Sequence, residues 1–297
     1  MRYLIDAEYR EARDEEQPRV TASYATRLRQ ELSVRNQRWA RDTASLHEVT
    51  LGGVPAVLYS EDELGRHGNF LGESYDRICA TPDWKRRLRK AHSSSKRALL
   101  SRDLGRKELD SSHSSDALLM NIFCCPGVLG SPKVCQLLGI EPGADAVFGY
   151  RPGVPLQNGK KDTTEIDLKL GDLLVEAKLT EYDFQRAPRR MVERYARFAE
   201  VFDVGRPECC GKSVDSYQLI RGVLAADAYP GHRFCVLCDA RRPDLITRWH
   251  QVLSLVTTYE LRCRMMVLTW QELATVLPVG LQMFLSAKYG IDAKSIR

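Results

Sequence analysis

The segment Thr164–Leu179, TEIDLKLGDLLVEAKL, constrains the fold more than any other part of the chain. Apolar and polar residues alternate on both sides of Gly171-Asp172. A Gly-Asp step between alternating runs predicts a two-residue hairpin turn, with the glycine supplying positive φ at the first turn position. That turn pairs Leu170 with Leu173, sets Asp167 opposite Glu176 and sets Glu165 opposite Lys178. Side chains alternate across a strand. Ile166, Leu168, Leu170, Leu173, Val175, Ala177 and Leu179 therefore share one face, which is expected to meet the core. The other face carries Glu165, Asp167, Lys169, Leu174, Glu176 and Lys178.

Like charges directly opposite one another destabilise a sheet. At ~5 Å and an effective dielectric near 20, two carboxylates repel by roughly 3 kcal/mol. A divalent cation between Asp167 and Glu176 converts that repulsion into coordination, and Mg²⁺ characteristically uses one or two carboxylates completed by water and phosphate oxygens. Lys178 points the same way as Glu176, where an ammonium can offset charge on a transition state or position a water. The plainer alternative is a solvated sheet face with Glu165–Lys178 and Asp167–Lys169 as surface ion pairs. Leu174 on the same face argues against full exposure.

Around this hairpin the pattern is that of an α/β domain with a mixed sheet. Strands are expected at Ala146–Tyr150, Thr163–Leu170, Leu173–Leu179, Arg233–Asp239 and Met265–Thr269. Helices are expected at about 114–124, 188–204, 214–226 and 242–258, with two short ones closing the chain. Thr81-Pro82-Asp83 reads as a helix start before Trp84–Ala91. Residues 1–48 read as a helical N-terminal extension with a thin stripe of Leu28, Leu32 and Trp39, and residues 49–297 as the domain proper. No run approaches the ~18 apolar residues of a membrane span, and the N-terminus lacks a signal-peptide core. The expectation is a cytoplasmic protein with no membrane partner.

The nine cysteines are an odd number and are expected to be reduced, mostly buried thiols. Cys235-x-x-Cys238 lies in what reads as a buried strand, and adjacent Cys209-Cys210 suit neither a zinc knuckle nor a redox pair. Gly205 to Ser213 imitates a P-loop, but Pro207 interrupts it and a helix precedes it, so it reads as a loop. The six histidines include no H-E-x-x-H pair.

Asp167, eight intervening residues, then Glu176-Ala177-Lys178 resembles the signature of the PD-(D/E)XK nuclease superfamily, the restriction-endonuclease-like fold. The resemblance covers about residues 105–270, and Ile166 stands where the family name has proline. It implies an αβββαβ core with a mixed central sheet flanked by helices. It implies a Mg²⁺-dependent nuclease hydrolysing DNA phosphodiester bonds, with Mn²⁺ able to substitute, of a restriction or repair type. By the same resemblance Asp167 and Glu176 hold the metal and Lys178 assists the attacking water. Glu165 is a further or outer ligand. A first-helix acid is supplied by either Glu108 or Asp116. Gln218, on the helix after the motif, reaches the site, and Arg221, three residues on, shares its face. The resemblance also implies a homodimer.

The net charge is +5, from 44 Lys+Arg against 39 Asp+Glu, and its distribution says more than its size. Positive charge concentrates at 85–107 and 186–197. Lys85, Arg86, Arg87, Arg89 and Lys90 cover one predicted helix outside its Trp84/Leu88 stripe, while Arg190, Arg194 and Arg197 fall at i, i+4, i+7 on another. Planar, bidentate guanidinium groups suit phosphate oxygens, so these residues, with Arg221, are the candidate contacts to single- or double-stranded DNA. Two other readings remain open here. One is a non-catalytic nucleic-acid-binding module on the same fold, and the other is an ion-paired sheet in an unrelated α/β protein.

Overall fold

The computed structural model describes residues 22–91, 106–206 and 212–293. Lys96, Arg97 and Arg102 of the basic stretch, the Cys209-Cys210 pair, residues 207–211 of the glycine loop and residues 1–21 of the expected helical extension lie outside the described residues.

A five-stranded sheet forms the centre. Its strands are β1 (Ala146–Tyr150), β2 (Ile166–Leu170), β3 (Leu173–Ala177), β4 (Arg233–Cys238) and β5 (Met265–Thr269). The spatial order is β5-β4-β3-β2-β1. The meander β1-β2-β3 is antiparallel, and β3, β4 and β5 run parallel. The helices are α1 (Tyr24–Asp42), α2 (Gly72–Ala80), α3 (Pro82–Arg87), α4 (Ser115–Phe123), α5 (Pro132–Leu138), α6 (Arg189–Glu193), α7 (Phe198–Val201), α8 (Tyr217–Asp227), α9 (Pro243–Leu255), α10 (Tyr259–Cys263), α11 (Trp270–Ala274) and α12 (Val279–Tyr289). The run α4-β1-β2-β3-α8-β4 is the expected αβββαβ order on a mixed sheet, with helices on both faces.

Alternation along the buried strands sorts the core into two layers. Val175, Ala177, Cys235 and Leu237 pack with α4, α5, α11 and α12, and Leu28 and Leu32 of α1 join this layer. Leu174, Phe234, Val236 and Cys238 face α8 and α9 on the other side. Burial on both faces is why β4 reads as the continuous apolar run Phe234–Cys238.

The hairpin forms in the expected register, with Leu170 paired to Leu173, Lys169 to Leu174 and Leu168 to Val175, and Gly171 at φ 56°. One member of its apolar face is elsewhere. Ile166 packs in the α8 layer with Leu174, not with Leu168 and Leu170. The ladder between β1 and β2 skips Gly149, which has φ 64°, and the pleat is interrupted there.

Two helices differ from expectation. The segment 188–204 is not one helix but α6 and α7. Tyr195 leaves the helical path to bury its ring, and strand-like contacts capture the backbone around it. Gln157 N–H donates to Arg194 O and Ala196 N–H donates to Pro155 O. Arg190, Arg194 and Arg197 are all exposed but no longer form one stripe. Helix α3 ends at Arg87 rather than Ala91, which turns residues 88–91 out of the predicted helical face. Among the thiols, Cys124, Cys125, Cys135, Cys235 and Cys238 are buried and free as expected, while Cys263 is exposed and Cys79 half-buried.

Gly222 sets how closely α8 approaches the sheet. A Cβ built on it would lie 2.1 Å from the Phe234 ring. Gly222→Ala is therefore expected to push α8 outward and to cost about 1–3 kcal/mol of stability, measured by urea denaturation. An unchanged midpoint would show that Phe234 can yield.

Candidate functional site

The end of β3 and the first turn of α8 meet in the layer beneath Phe184. Glu176, the fourth residue of β3, is 1% exposed and Lys178 is 4% exposed, which excludes a solvated face. Lys178 Nζ donates to Glu176 Oε1 at 2.6 Å, and Gln218 Nε2 donates to the same oxygen at 2.7 Å. Arg221 Nη2 stands 3.8 Å from Glu176 Oε2 and donates to the Glu165 carbonyl at 2.8 Å. Asp167 does not continue the backbone ladder opposite Glu176. Its Oδ2 instead accepts the Ala177 N–H at 2.8 Å, so a side chain takes over where the strand pairing stops.

A second group of residues arrives from outside the sheet. Ser114 caps α4 by accepting the Ala117 N–H, which fixes Asp116 in the first turn at 6% exposure. Arg87 Nη2 reaches Asp116 Oδ2 at 2.9 Å while Nη1 reaches Glu165 Oε2 at 2.9 Å, and Lys90 Nζ donates to the same Asp116 oxygen. Gly149 makes room for this guanidinium, since a Cβ there would lie 2.2 Å from Arg87 Nη1. Glu181 ties the two groups together, accepting from Ser115 Oγ at 2.6 Å and from the Leu179 N–H at 2.7 Å. Of the two first-helix acids, Asp116 faces Asp167. Glu108 lies in the turn before α4, its N–H on the Lys90 carbonyl and its buried Oε2 without a partner.

The electrostatics follow from this packing. Burial, then the charges of Glu176 and Asp116, push the Asp167 carboxyl well above its ordinary range, against opposition from Lys178 and the Ala177 N–H. For Lys178, burial favours the neutral amine, but Glu176, Asp167 and Glu181 together outweigh it and hold the ammonium charged. Glu165 is also partly desolvated, yet Arg87 and Arg151 keep it below the usual carboxylate range.

Among the described residues, no three His, Cys, Asp or Glu side chains stand close enough to enclose a metal ion by themselves. A hard divalent cation needs fewer, because waters complete its shell. Asp167 and Glu176 fit that requirement chemically: both are carboxylate oxygen donors, and the charge of Glu176 helps to raise the Asp167 carboxyl. Asp116 adds a third carboxylate within electrostatic reach.

Beside these acids a cleft of about 840 Å³ runs along the edge strand β1, lined by Arg86, Arg87, Lys90 and Arg151 and by the acids Asp83, Asp145 and Glu165, with Trp84 at its side. The basic run 85–90 thus divides. Arg86, Arg87 and Lys90 face this cleft, whereas Lys85 and Arg89 line a smaller hollow with Glu61 and Asp110. Arg197 is paired with Glu200 and Asp227 away from the site.

Asp167, Glu176, Lys178, Gln218 and Arg221 come together as the sequence pattern leads one to expect, and three further features are added by the fold. Arg87 and Lys90 bind Asp116 directly, Glu181 braces α4, and Tyr195 donates to the Asp162 carboxylate while sharing a hydrogen bond with Tyr217. That last network anchors the first turn of α8, from which Gln218 projects. The only sequence signal for it was an aromatic residue in an amphipathic run.

A family model described as "Restriction Endonuclease associating with ARP" (REase-ARP) matches residues 37–290. No curated protein and no solved structure matches the chain with significance. Among the described residues, no helix is long and apolar enough to cross a membrane.

Because the folded-state pKa of Asp167 is raised, the stability its protonated form contributes is present below the ordinary carboxylate pKa. That stability is lost as pH rises through the raised value. Asp167→Asn keeps the acceptor for Ala177 N–H without the charge. In EDTA it is expected to melt above the parent at about pH 8 and to converge with it toward about pH 4. Equal melting temperatures at the higher pH would show that the carboxylate is not penalised.

Proposed function

The chain belongs to the REase-ARP family, and from that membership we propose that it is a metal-dependent nuclease of the PD-(D/E)XK type, hydrolysing phosphodiester bonds in DNA. The observation that carries the reading is the convergence of Asp167, Glu176 and Lys178 at the end of β3, with Lys178 Nζ and Gln218 Nε2 both on Glu176 Oε1 and Asp167 Oδ2 accepting the Ala177 N–H. Two oxygen-donor carboxylates at one point, beside a cleft that Arg86, Arg87, Lys90 and Arg151 help to line, are what a divalent cation and a phosphate require together.

Asp167 and Glu176 would hold Mg²⁺ or Mn²⁺, with Asp116 as the acid from the first core helix and Glu165 further out. When bound, such a cation polarises the phosphoryl group and lowers the pKa of water. Lys178, kept as an ammonium, does not take up a proton. Its role is to orient the attacking water and to offset charge that grows on the phosphoryl oxygens. Gln218 fixes the Glu176 carboxylate through the oxygen it shares with Lys178. Arg221 closes the buried side and holds the Glu165 backbone. Arg86, Arg87, Lys90 and Arg151 would carry the substrate phosphates, with Arg190 and Arg194 as outer contacts. In this reading residues 49–297 form the nuclease domain together with α1, whose Leu28 and Leu32 enter its core, and the working unit is a homodimer.

Plasmid, linear duplex, single-stranded DNA and RNA incubated with Mg²⁺ test the proposal. Lys178→Ala and Asp167→Ala are each expected to lower the cleavage rate by at least about 100-fold, and EDTA to abolish it. Cleavage surviving both substitutions sinks the assignment. A non-catalytic binding module would instead bind nucleic acid without cutting it. For the Lys178→Ala protein, log affinity for DNA is expected to fall by roughly 5 per decade of salt if about six phosphates are neutralised. A nearly flat salt dependence, measured by fluorescence anisotropy, would remove the basic cleft from the substrate path.

A further inference from the structure

The cations that line the cleft are not idle. Arg87 is only 14% exposed at its side chain, and its two arms engage Asp116 and Glu165. Lys90, 34% exposed, engages the same Asp116 oxygen. Asp116 is therefore covered by the groups best placed to receive a phosphate, and the same guanidinium cannot offer its full fork to both. Arg151 supplies a comparison within the cleft. It is 65% exposed, and its ion pair among the described residues is with Glu165.

Resting on the nuclease reading above, we infer that Arg87 and Lys90 form an exchange switch that makes metal and nucleic acid bind cooperatively. Without substrate the two cations neutralise Asp116 and lower the site's attraction for a divalent cation. A phosphodiester strand entering the cleft draws them onto its phosphates, which frees Asp116 to face Asp167 and Glu176. The metal is thereby held chiefly when substrate is present, and free cation is not retained by an idle enzyme. Linkage requires the effect to be reciprocal: the metal must tighten nucleic-acid binding by the same factor.

The test measures binding, not turnover. Isothermal titration calorimetry follows Ca²⁺ binding to the full chain, alone and saturated with a cleavage-resistant phosphorothioate oligonucleotide. In the parent protein the oligonucleotide is expected to raise Ca²⁺ affinity by about tenfold, within the usual range for coupled sites. Arg87→Met and Lys90→Met, made singly and together, are expected to bind Ca²⁺ more tightly without the oligonucleotide and to lose most of the enhancement. Lys90→Met covers the case in which the more buried Arg87 variant does not fold, as judged by circular dichroism. Arg151→Met removes the same charge from the same cleft without touching Asp116 and is expected to retain the coupling. Full coupling in the Arg87 and Lys90 variants overturns the switch while leaving the nuclease reading intact. So does equal loss of coupling in Arg151→Met, which would reduce the effect to general charge. Failure of the parent to bind any divalent cation in either state overturns both.

Discussion

The ion pair between Lys178 and Glu176, sealed between the sheet and α8, is the interaction on which the rest of the site depends. Taking two such charges out of water costs several kcal/mol per ion, and their attraction repays this only when further hydrogen bonds complete the arrangement. Here Gln218 supplies one of them and Arg221 adds a second positive charge. Each of these comes from α8, so the helix must lie close and in one rotation. Gly222 permits the closeness, and the Tyr195–Asp162–Tyr217 network holds the first turn. Much of the packing on this side of the sheet thus serves to keep one carboxylate and one ammonium together.

The opposite side of the site follows a different logic. Asp116 belongs to the helix layer that includes α1 and α12, and it stands within electrostatic reach of Asp167 on a helix that Ser114 caps and Glu181 braces through Ser115. Its partners Arg87 and Lys90 come from a short helix and the turn after it. One half of the site is a rigid strand–helix joint, and the other is a set of ion pairs at the edge of a cleft. Rigid placement suits the groups that hold and orient. Exchangeable pairs suit the groups that must hand a charge to an incoming phosphate.

The hairpin was legible because its physics is local. Gly171-Asp172 defines a turn, a turn defines a register, and the register places Asp167 near Glu176 whatever the remainder of the chain does. At Ile166 local alternation does not decide the outcome. Its place in the alternating pattern was clear, but a glycine on the neighbouring strand interrupts the pleat beside it. The same holds at 188–204, where a strongly amphipathic run is not a continuous helix. The hydrogen bonds that break it come from residues 155–157, some forty positions earlier, and no helical periodicity records them. Arg87 and Lys90 look like surface cations because their sequence neighbours are basic, but both pair with Asp116 on α4, and Arg87 also with Glu165 just before β2.

By itself the sequence determined the hairpin, its register, the apolar strands on either side and the chemistry of the residues at the hairpin's open end. These rest on alternation, turn geometry and composition, which act over a few residues. Only the tertiary structure decided which first-helix acid faces Asp167 and which cations of the basic run turn inward. It also decided that Glu176 and Lys178 are buried rather than solvated. Those outcomes depend on how layers stack and which charges they enclose, and desolvation is a property of the assembled core that no single segment contains.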